Sequence, residues 1–253
     1  MKMWNNLKMD LYRMVRQKSL YISIGLLIVA FFWMLNAEGL VNNTTFASFD
    51  RTKNSVLDFL YFFPKSMFFQ LAVLIFSALF FNEEYNSGFV KNIYPVQSKL
   101  TLLLEKWIMS IIIILVFTLS CTILSGIELA VHKVSLSGFS IGNYAIYILM
   151  NTLLLSAVSC FIMMVNHLVR SKVVTILTAV GYSFTIFFML NTALCIILPE
   201  AVQYVEYTLY YAIGNLNTVP ELSAYGKAAA LAISSGILYN GISYLVLKQK
   251  DLV

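Results

Sequence analysis

Charged residues are scarce in this chain: Asp, Glu, Lys and Arg make up 11% of its 253 residues, whereas hydrophobic residues make up 60%. A soluble domain usually carries about 25% charged residues, so this composition argues against a water-soluble globular protein. Inside a bilayer the backbone must satisfy its own hydrogen bonds, which leaves helices or a closed barrel. The apolar runs, such as 107–121, are continuous rather than alternating. The sequence therefore predicts an all-α membrane protein.

Cysteine and histidine are also rare, and their positions exclude several kinds of site. The three cysteines lie inside apolar runs without a close-spaced pair; they are Cys121, Cys160 and Cys195. We interpret them as small buried side chains rather than as a disulfide framework or a metal site. The two histidines, His132 and His167, form no His-Glu-x-x-His motif, which argues against a zinc protease.

Two further motifs are incomplete. No phosphate-binding loop of the form Gly-x-x-x-x-Gly-Lys-Ser/Thr occurs, because Gly226-Lys227 is followed by Ala228 and lacks the upstream glycine. Any ATP-driven work would therefore need a partner chain. The pair Glu83-Glu84 is similar to the Glu-Glu-x-x-x-Arg motif of prenyl-protein-type intramembrane proteases, but Gly88 stands where that motif needs arginine.

The apolar runs predict six transmembrane helices, at about 20–35, 66–81, 107–130, 144–165, 173–198 and 228–247. An even number of spans puts both termini on one side of the membrane. That side carries twelve of the 17 lysines and arginines, and the other side carries five. Because cytoplasmic loops are enriched in Lys and Arg, we expect both termini to be cytoplasmic. The formal net charge of +5 then fits an inner face against anionic lipid and needs no nucleic-acid partner.

The first 19 residues predict an amphipathic helix that lies in the membrane interface. Its apolar face follows helical spacing through Trp4, Leu7, Leu11, Met14 and Val15. Arg13 and Arg16 fall on the opposite face, as expected for a helix in the headgroup layer. No cleavage site follows 20–35, so we interpret that segment as an uncleaved span.

The segment between the second and third spans, 82–106, is the most informative loop. Glu84 ends an apolar helix, and Gly88 can adopt the backbone angles that terminate one. A small apolar face at helical spacing and a break follow, formed by Val90, Ile93, Tyr94 and Pro95. This pattern is typical of a surface helix that docks a partner, and an ordinary solvated loop is the alternative.

The arrangement Glu84-x-x-x-Gly88, Pro95, Ser98-Lys99 and Lys106 resembles the loop of ABC-2-type permeases, the membrane subunits of ATP-binding-cassette exporters. The whole chain, 1–253, also resembles one permease domain of that family, which is type V exporter-like. The resemblance implies an N-terminal interfacial elbow helix at 1–19, a cytoplasmic coupling loop at 82–106 and an outer loop at 199–227 with re-entrant helices.

The same resemblance implies the partners. The coupling loop would contact an ATPase subunit; the implied contact residues are Glu84, Gly88, Val90, Ile93, Tyr94, Pro95, Lys99 and Lys106. Two ATPase subunits would serve each complex, and a second permease, identical or homologous, would complete the pathway. ATP and Mg²⁺ would be bound by the ATPase, so we expect no cofactor and no catalytic residue in this chain.

Polar residues inside the spans are the candidates for lining a pathway: Asn151, Asn191 and Ser77. The alternative is that they hydrogen-bond neighbouring helices. No charged residue lies deep in a span, which argues against ion-coupled transport. We expect an exporter of an amphipathic or hydrophobic peptide in a bacterial plasma membrane. The alternatives are export of drugs or lipid-linked glycans, a non-transporting scaffold or sensor partner, and an intramembrane enzyme.

Overall fold

The computed structural model describes residues 2–45, 60–86, 98–131, 139–184, 193, 205, 207–216 and 220–249, and these residues include eight α-helices and no strand. The helices are α1 Lys2–Arg16, α2 Lys18–Thr45, α3 Met67–Asn86, α4 Lys99–Val131, α5 Ile141–Val169, α6 Lys172–Ser183, α7 Leu209–Gly214 and α8 Leu222–Gln249. A short 3₁₀ turn, Phe63–Lys65, precedes α3. The prediction of an all-helical chain is confirmed for these residues.

Hydroxyl side chains begin several of these helices. The side chains of Ser140, Ser171 and Thr208 accept a hydrogen bond from the backbone N–H three residues on, at the starts of α5, α6 and α7. Such caps satisfy N–H groups that have no partner within the helix. At the end of α5, Arg170 adopts a left-handed conformation with φ of 53°, which terminates the helix before α6 begins.

Three described helices are long and apolar enough to cross a membrane: α4, α5 and α8. A fourth candidate is the pair Trp4–Arg16 and Lys18–Met34, which is bent by 59° at Gln17. Two shorter apolar stretches are Met67–Glu83, within α3, and Lys172–Ser183, which is α6. The finding of candidate membrane-spanning helices agrees with a membrane protein, while the number six stays a prediction.

Two predicted boundaries differ from the helices observed. The third predicted span begins at 107, but α4 begins at Lys99, where Ser98 accepts a hydrogen bond from the backbone N–H of Thr101. The last predicted span begins at 228, but α8 begins at Leu222, within the segment predicted as an outer loop. In both cases a segment of mixed polar and apolar residues extends the helix beyond the continuous apolar run, because helix formation does not require an unbroken run of apolar side chains.

Helix α5 lies at the centre of the described assembly. It packs most extensively against α8 and also contacts α3, α4, α6 and α7, whereas α3 packs against α2 and α6. Of the three candidate spans α5 is the most buried. In α5, 61% of an apolar 18-residue stretch is buried inside the protein, compared with 44% in α4 and 22% in α8. The exposed surface of α8 is therefore available to lipid or to another chain.

One tryptophan joins three of these helices. The indole of Trp107, on α4, donates a hydrogen bond of 3.1 Å to the hydroxyl of Ser156 on α5. The same ring lies against Gly236 on α8, where an added Cβ would be 2.7 Å from the indole carbon Cζ2. A side chain at position 236 would collide with the ring, so glycine permits this approach of α8 to α4.

Candidate functional site

The candidate site lies at one end of the helix assembly, which we call the base; it is defined by three contacts, Asp10 with Lys106, Gln17 with Glu83, and Lys99 with Leu247. These contacts join the N-terminal helix, the end of α3, the start of α4 and the end of α8. The predicted coupling loop, 82–106, overlaps these points: 82–86 belong to the end of α3, 99–106 form the first two turns of α4, and 87–97 lie outside the described residues. The base therefore contains both described ends of that predicted loop.

The strongest contact at the base is a buried ion pair between α1 and α4. The ammonium of Lys106 donates to Oδ2 of Asp10 at 2.6 Å, and the two side chains are only 7% and 1% exposed. The second carboxylate oxygen of Asp10 lies 3.7 Å from Nη2 of Arg13. A short, charge-assisted hydrogen bond in buried surroundings fixes the position of α1 against α4.

Arg13 and Gln17 extend this attachment to α3. The guanidinium of Arg13 lies 4.4 Å from the ring centroid of Phe80, close enough for a cation–π interaction. The amide of Gln17 donates a hydrogen bond to the Glu83 carboxylate at the end of α3. Across the bend, the Tyr21 hydroxyl donates to the backbone carbonyl of Val15 at 2.7 Å. Helix α1 is thus held by both α3 and α4.

Lys99 connects the first turn of α4 to the last turn of α8. Its ammonium donates to the backbone carbonyl of Leu247 at 2.6 Å. The last four carbonyls of a helix have no partner within the helix and carry partial negative charge, so a cation is favourable there. This contact brings the start of one candidate span beside the end of another.

The two predicted coupling lysines therefore point into the protein. Lys99 is half-buried and engaged with α8, and Lys106 is buried in its ion pair with Asp10. Glu84 lies in α3, but its side chain is outside the described residues. The other predicted contact residues also lie outside the described residues: Gly88, Val90, Ile93, Tyr94 and Pro95.

The residues predicted for the interfacial helix divide between two surfaces of α1. Leu7 and Met14 are buried against the rest of the protein, and Leu11 is partly buried. Trp4 is 58% exposed, and Val15 is 52% exposed. On the polar side Arg16 stacks over the Tyr12 ring at 4.3 Å and is exposed. The stripe with Leu7 and Met14 thus packs on the protein, while the neighbouring stripe with Trp4 and Val15 remains exposed on the surface.

Of the candidate pathway residues, Asn151 and Ser77 are both buried. Ser77 donates to the Val73 carbonyl of its own helix at 2.8 Å. Asn151, at 0% exposure in α5, has no hydrogen-bond partner for either side-chain amide atom within the described structure. A buried amide without a partner has a large desolvation cost. Asn191 lies outside the described residues.

Sequence reasoning missed Asp10, although a signal for it was present. Asp10 lies three residues after Leu7 and four before Met14, so helical spacing puts the carboxylate on the buried stripe. A carboxylate in that position requires a cation partner, because burying an unpaired charge is costly. Lys106 is the partner, 96 residues away along the chain.

The opposite end of the assembly is rich in tyrosine. The Tyr147 hydroxyl donates to the Tyr61 carbonyl at 2.6 Å, and the Tyr144 hydroxyl lies 3.0 Å from that of Thr122. Lys65 in the 3₁₀ turn donates to the Leu216 carbonyl, and its ammonium lies 5.6 Å from the Tyr147 ring centroid. Burial lowers the pKa of Lys65 from its ordinary value. These contacts join the turn before α3, α5 and the segment after α7.

The described residues contain no group of three His, Cys, Asp or Glu side chains that could hold a metal ion. No protein-family model matches the sequence, and no curated protein matches it. Inference about function therefore depends on the base, on the loop pattern and on the apolar helices.

Proposed function

We propose that this chain is the membrane permease subunit of an ATP-driven ABC-2-type exporter in a bacterial plasma membrane. Its cargo is an amphipathic or hydrophobic peptide, because the candidate spans are apolar and largely uncharged. ATP and Mg²⁺ are bound by two separate ATPase subunits, and a second permease, identical or homologous, completes the pathway. The six-span layout with both termini in the cytoplasm belongs to this proposal.

The observation that carries the proposal is the set of three contacts at the base. They join α1, α3, α4 and α8 around the two ends of the loop that resembles a coupling loop. A displacement of that loop would therefore be transmitted to several helices together rather than to one. Coupling of this kind needs a rigid base and an interface with two stable arrangements, not catalytic side chains.

Within this function the two parts of the loop pattern have different roles. The loop surface formed by Glu84, Gly88, Val90, Ile93, Tyr94 and Pro95 contacts the ATPase. Lys99 and Lys106 instead hold the helices that the loop moves, since both ammonium groups are engaged with other helices. The exposed Trp4 and Val15 of α1 lie in the headgroup layer, where tryptophan is favoured.

The test is co-purification of the tagged full-length chain from its native membrane in mild detergent. We expect an ATPase subunit to accompany the unmodified chain. The double substitution Ile93→Asp with Tyr94→Asp should reduce its recovery at least tenfold by removing the apolar docking face. Ser223→Asp with Ala224→Asp is the matched control: it adds two carboxylates at neighbouring exposed positions at the start of α8, away from the base, and should leave recovery unchanged.

Two results would argue against the proposal. If no ATPase accompanies a chain that stays folded and monodisperse, the result favours the alternative function, a non-transporting scaffold or sensor partner. If all variants retain the ATPase equally, the loop is not the docking surface. When an ATPase is present, uptake of labelled peptides into inverted vesicles tests the cargo class against drugs and lipid-linked glycans.

A further inference from the structure

A cavity of about 520 Å³ lies between α7 and the first half of α8, away from the base. Its lining includes Tyr207 and Asn215, which flank α7, and Lys227, Ala228 and Leu231 on α8. The volume is in the range of small-molecule sites in proteins, about 300–1,000 Å³. No part of the proposed coupling mechanism uses this cavity.

From Lys227 onward the lining on α8 changes from polar to apolar, and Ala224 and Tyr225 line the cavity before that lysine. Lys227 lies in the second turn of the helix, and Leu231 is one turn further along. The lining continues to Ser234, about 10 Å beyond Lys227 at the rise of an α-helix. The Ser234 hydroxyl donates to the Leu231 carbonyl of its own helix, so it offers little to a ligand. The part of the cavity beyond Lys227 is therefore suited to a hydrocarbon chain.

The positive charge of Lys227 makes its end of the cavity selective for anions. Lys227 is the one charged side chain among the described residues that line the cavity, it is exposed, and it forms no ion pair with another described residue. The phenol of Tyr207 and the amide of Asn215 lie at the same cavity. An ammonium flanked by hydrogen-bond donors is complementary to a phosphate or carboxylate.

We propose that this cavity binds an anionic lipid of the surrounding bilayer, with its phosphate at Lys227 and an acyl chain along Ala228 and Leu231. Helix α8 is a candidate span, so the polar-to-apolar gradient along it runs in the same direction as the gradient from headgroups to hydrocarbon. Tyr207 and Lys227 lie at this end of the cavity, and tyrosine and lysine are residue types favoured at a membrane interface. The binding needs neither an ATPase nor transport, so it goes beyond the proposed function.

The test is native mass spectrometry of the purified full-length chain released from detergent micelles, with dioleoyl phosphatidylglycerol or dioleoyl phosphatidylcholine added. We expect phosphatidylglycerol to be retained about fivefold better, the ratio that corresponds to about 1 kcal/mol for one lysine at a membrane surface. Lys227→Gln should abolish this preference, and Lys227→Arg should preserve it. Ala230→Trp, at an exposed lining position, should reduce retention of both lipids by filling the cavity.

Lys248→Gln is the matched control, because it removes an exposed lysine near the other end of the same helix. An equal loss of preference in Lys248→Gln and Lys227→Gln would overturn the proposal, since it would indicate attraction to the whole basic chain. Unchanged preference in Lys227→Gln would also overturn it. A lipid-free dimer that Ala230→Trp returns to the monomer would also overturn it, since it would identify a second copy of the chain as the occupant of the cavity. Because the purified chain is used alone, a failure to find an ATPase partner does not affect this result.

Discussion

At the scale of single residues, the approach of Gly236 to Trp107 gives the sharpest prediction. A Cβ at position 236 would lie 2.7 Å from the indole, and the hydrogen bond from the indole to Ser156 restrains the ring from moving. Gly236→Ala should therefore destabilise the protein by about 1–3 kcal/mol, the usual cost of overpacking. The measurement is the midpoint of thermal unfolding of the purified chain in mild detergent.

Gly241 on the same helix supplies the control. An added Cβ there meets no atom within 4 Å, so Gly241→Ala should be neutral or stabilise the protein by up to about 1 kcal/mol through helix propensity. The decisive feature is that Gly236→Ala should lower the unfolding temperature and Gly241→Ala should not. Equal effects at both positions would show that α8 does not pack on Trp107 in the way described.

The type of a residue predicts whether its side chain is buried better than it predicts which group that side chain hydrogen-bonds or pairs with. Asn151 and Ser77 were expected inside spans, and both are buried. Ser77 bonds to its own helix, whereas both amide atoms of Asn151 lack a described partner, a difference that amino-acid type alone does not contain. Asp10 was on the buried stripe by spacing, but its partner 96 residues away depends on how two helices pack.

At the scale of elements, the attachment of α1 to α4 depends on the buried pair of Asp10 and Lys106. Removing one member leaves a buried charge without its nearest partner, and loss of one member of a buried ion pair typically costs about 3–5 kcal/mol. Asp10→Leu and Lys106→Leu should each destabilise the protein by about that amount, and the double substitution should recover most of the loss. Thermal unfolding of the two single variants and the double variant measures the coupling.

Lys8→Leu is the control for this cycle, because Lys8 is exposed on the same helix over the Trp4 ring. Its effect should stay within about 0.5 kcal/mol, as for most surface substitutions. If the loss of stability in the double variant equals the sum of the losses in the two single variants, the two charges act independently. Limited proteolysis provides a second readout, since a detached α1 should be cleaved near Gln17 before the rest of the chain.

Helix boundaries could be predicted only where composition changes sharply. The change from an amphipathic to a fully apolar pattern near residue 19 marks the break between α1 and α2 at Gln17. The 59° bend and the surface on which α1 packs could not be read from that pattern, because both depend on Asp10, Arg13 and Gln17 finding partners on other helices. Mixed polar and apolar extensions such as 99–106 are not predicted, since a continuous apolar run underestimates helix length.

At the scale of the whole molecule, the all-helical architecture was predictable because a chain with 60% hydrophobic residues in continuous runs has few other ways to satisfy its backbone in a bilayer. The number of spans is a harder inference. A run of about 20 apolar residues is long enough to cross, but the apolar stretches of α3 and α6, Met67–Glu83 and Lys172–Ser183, are shorter. Whether each crosses depends on neighbouring helices and on snorkelling side chains, which periodicity does not specify.

The orientation of the chain can be tested by the accessibility of single cysteines to a membrane-impermeant maleimide, in a variant whose three native cysteines are replaced by alanine. Helix α8 has 28 residues and is about 42 Å long, enough to reach both membrane surfaces. Ser223→Cys near its start and Lys248→Cys near its end are exposed positions and should be labelled from opposite sides. Lys8→Cys should be labelled from the same side as Lys248→Cys, since α1 and the end of α8 both contact α4 at the base.

The charge distribution predicts which side that is. In the predicted six-span layout Lys8 and Lys248 fall on the surface with twelve of the 17 basic residues, so both should react in inverted vesicles and be protected in intact cells. Labelling of Ser223→Cys and Lys248→Cys from the same side would mean that α8 does not cross the bilayer. Labelling of Lys8→Cys and Lys248→Cys from opposite sides would contradict the shared base, because the contacts of Asp10 with Lys106 and of Lys99 with Leu247 could not then form in the membrane.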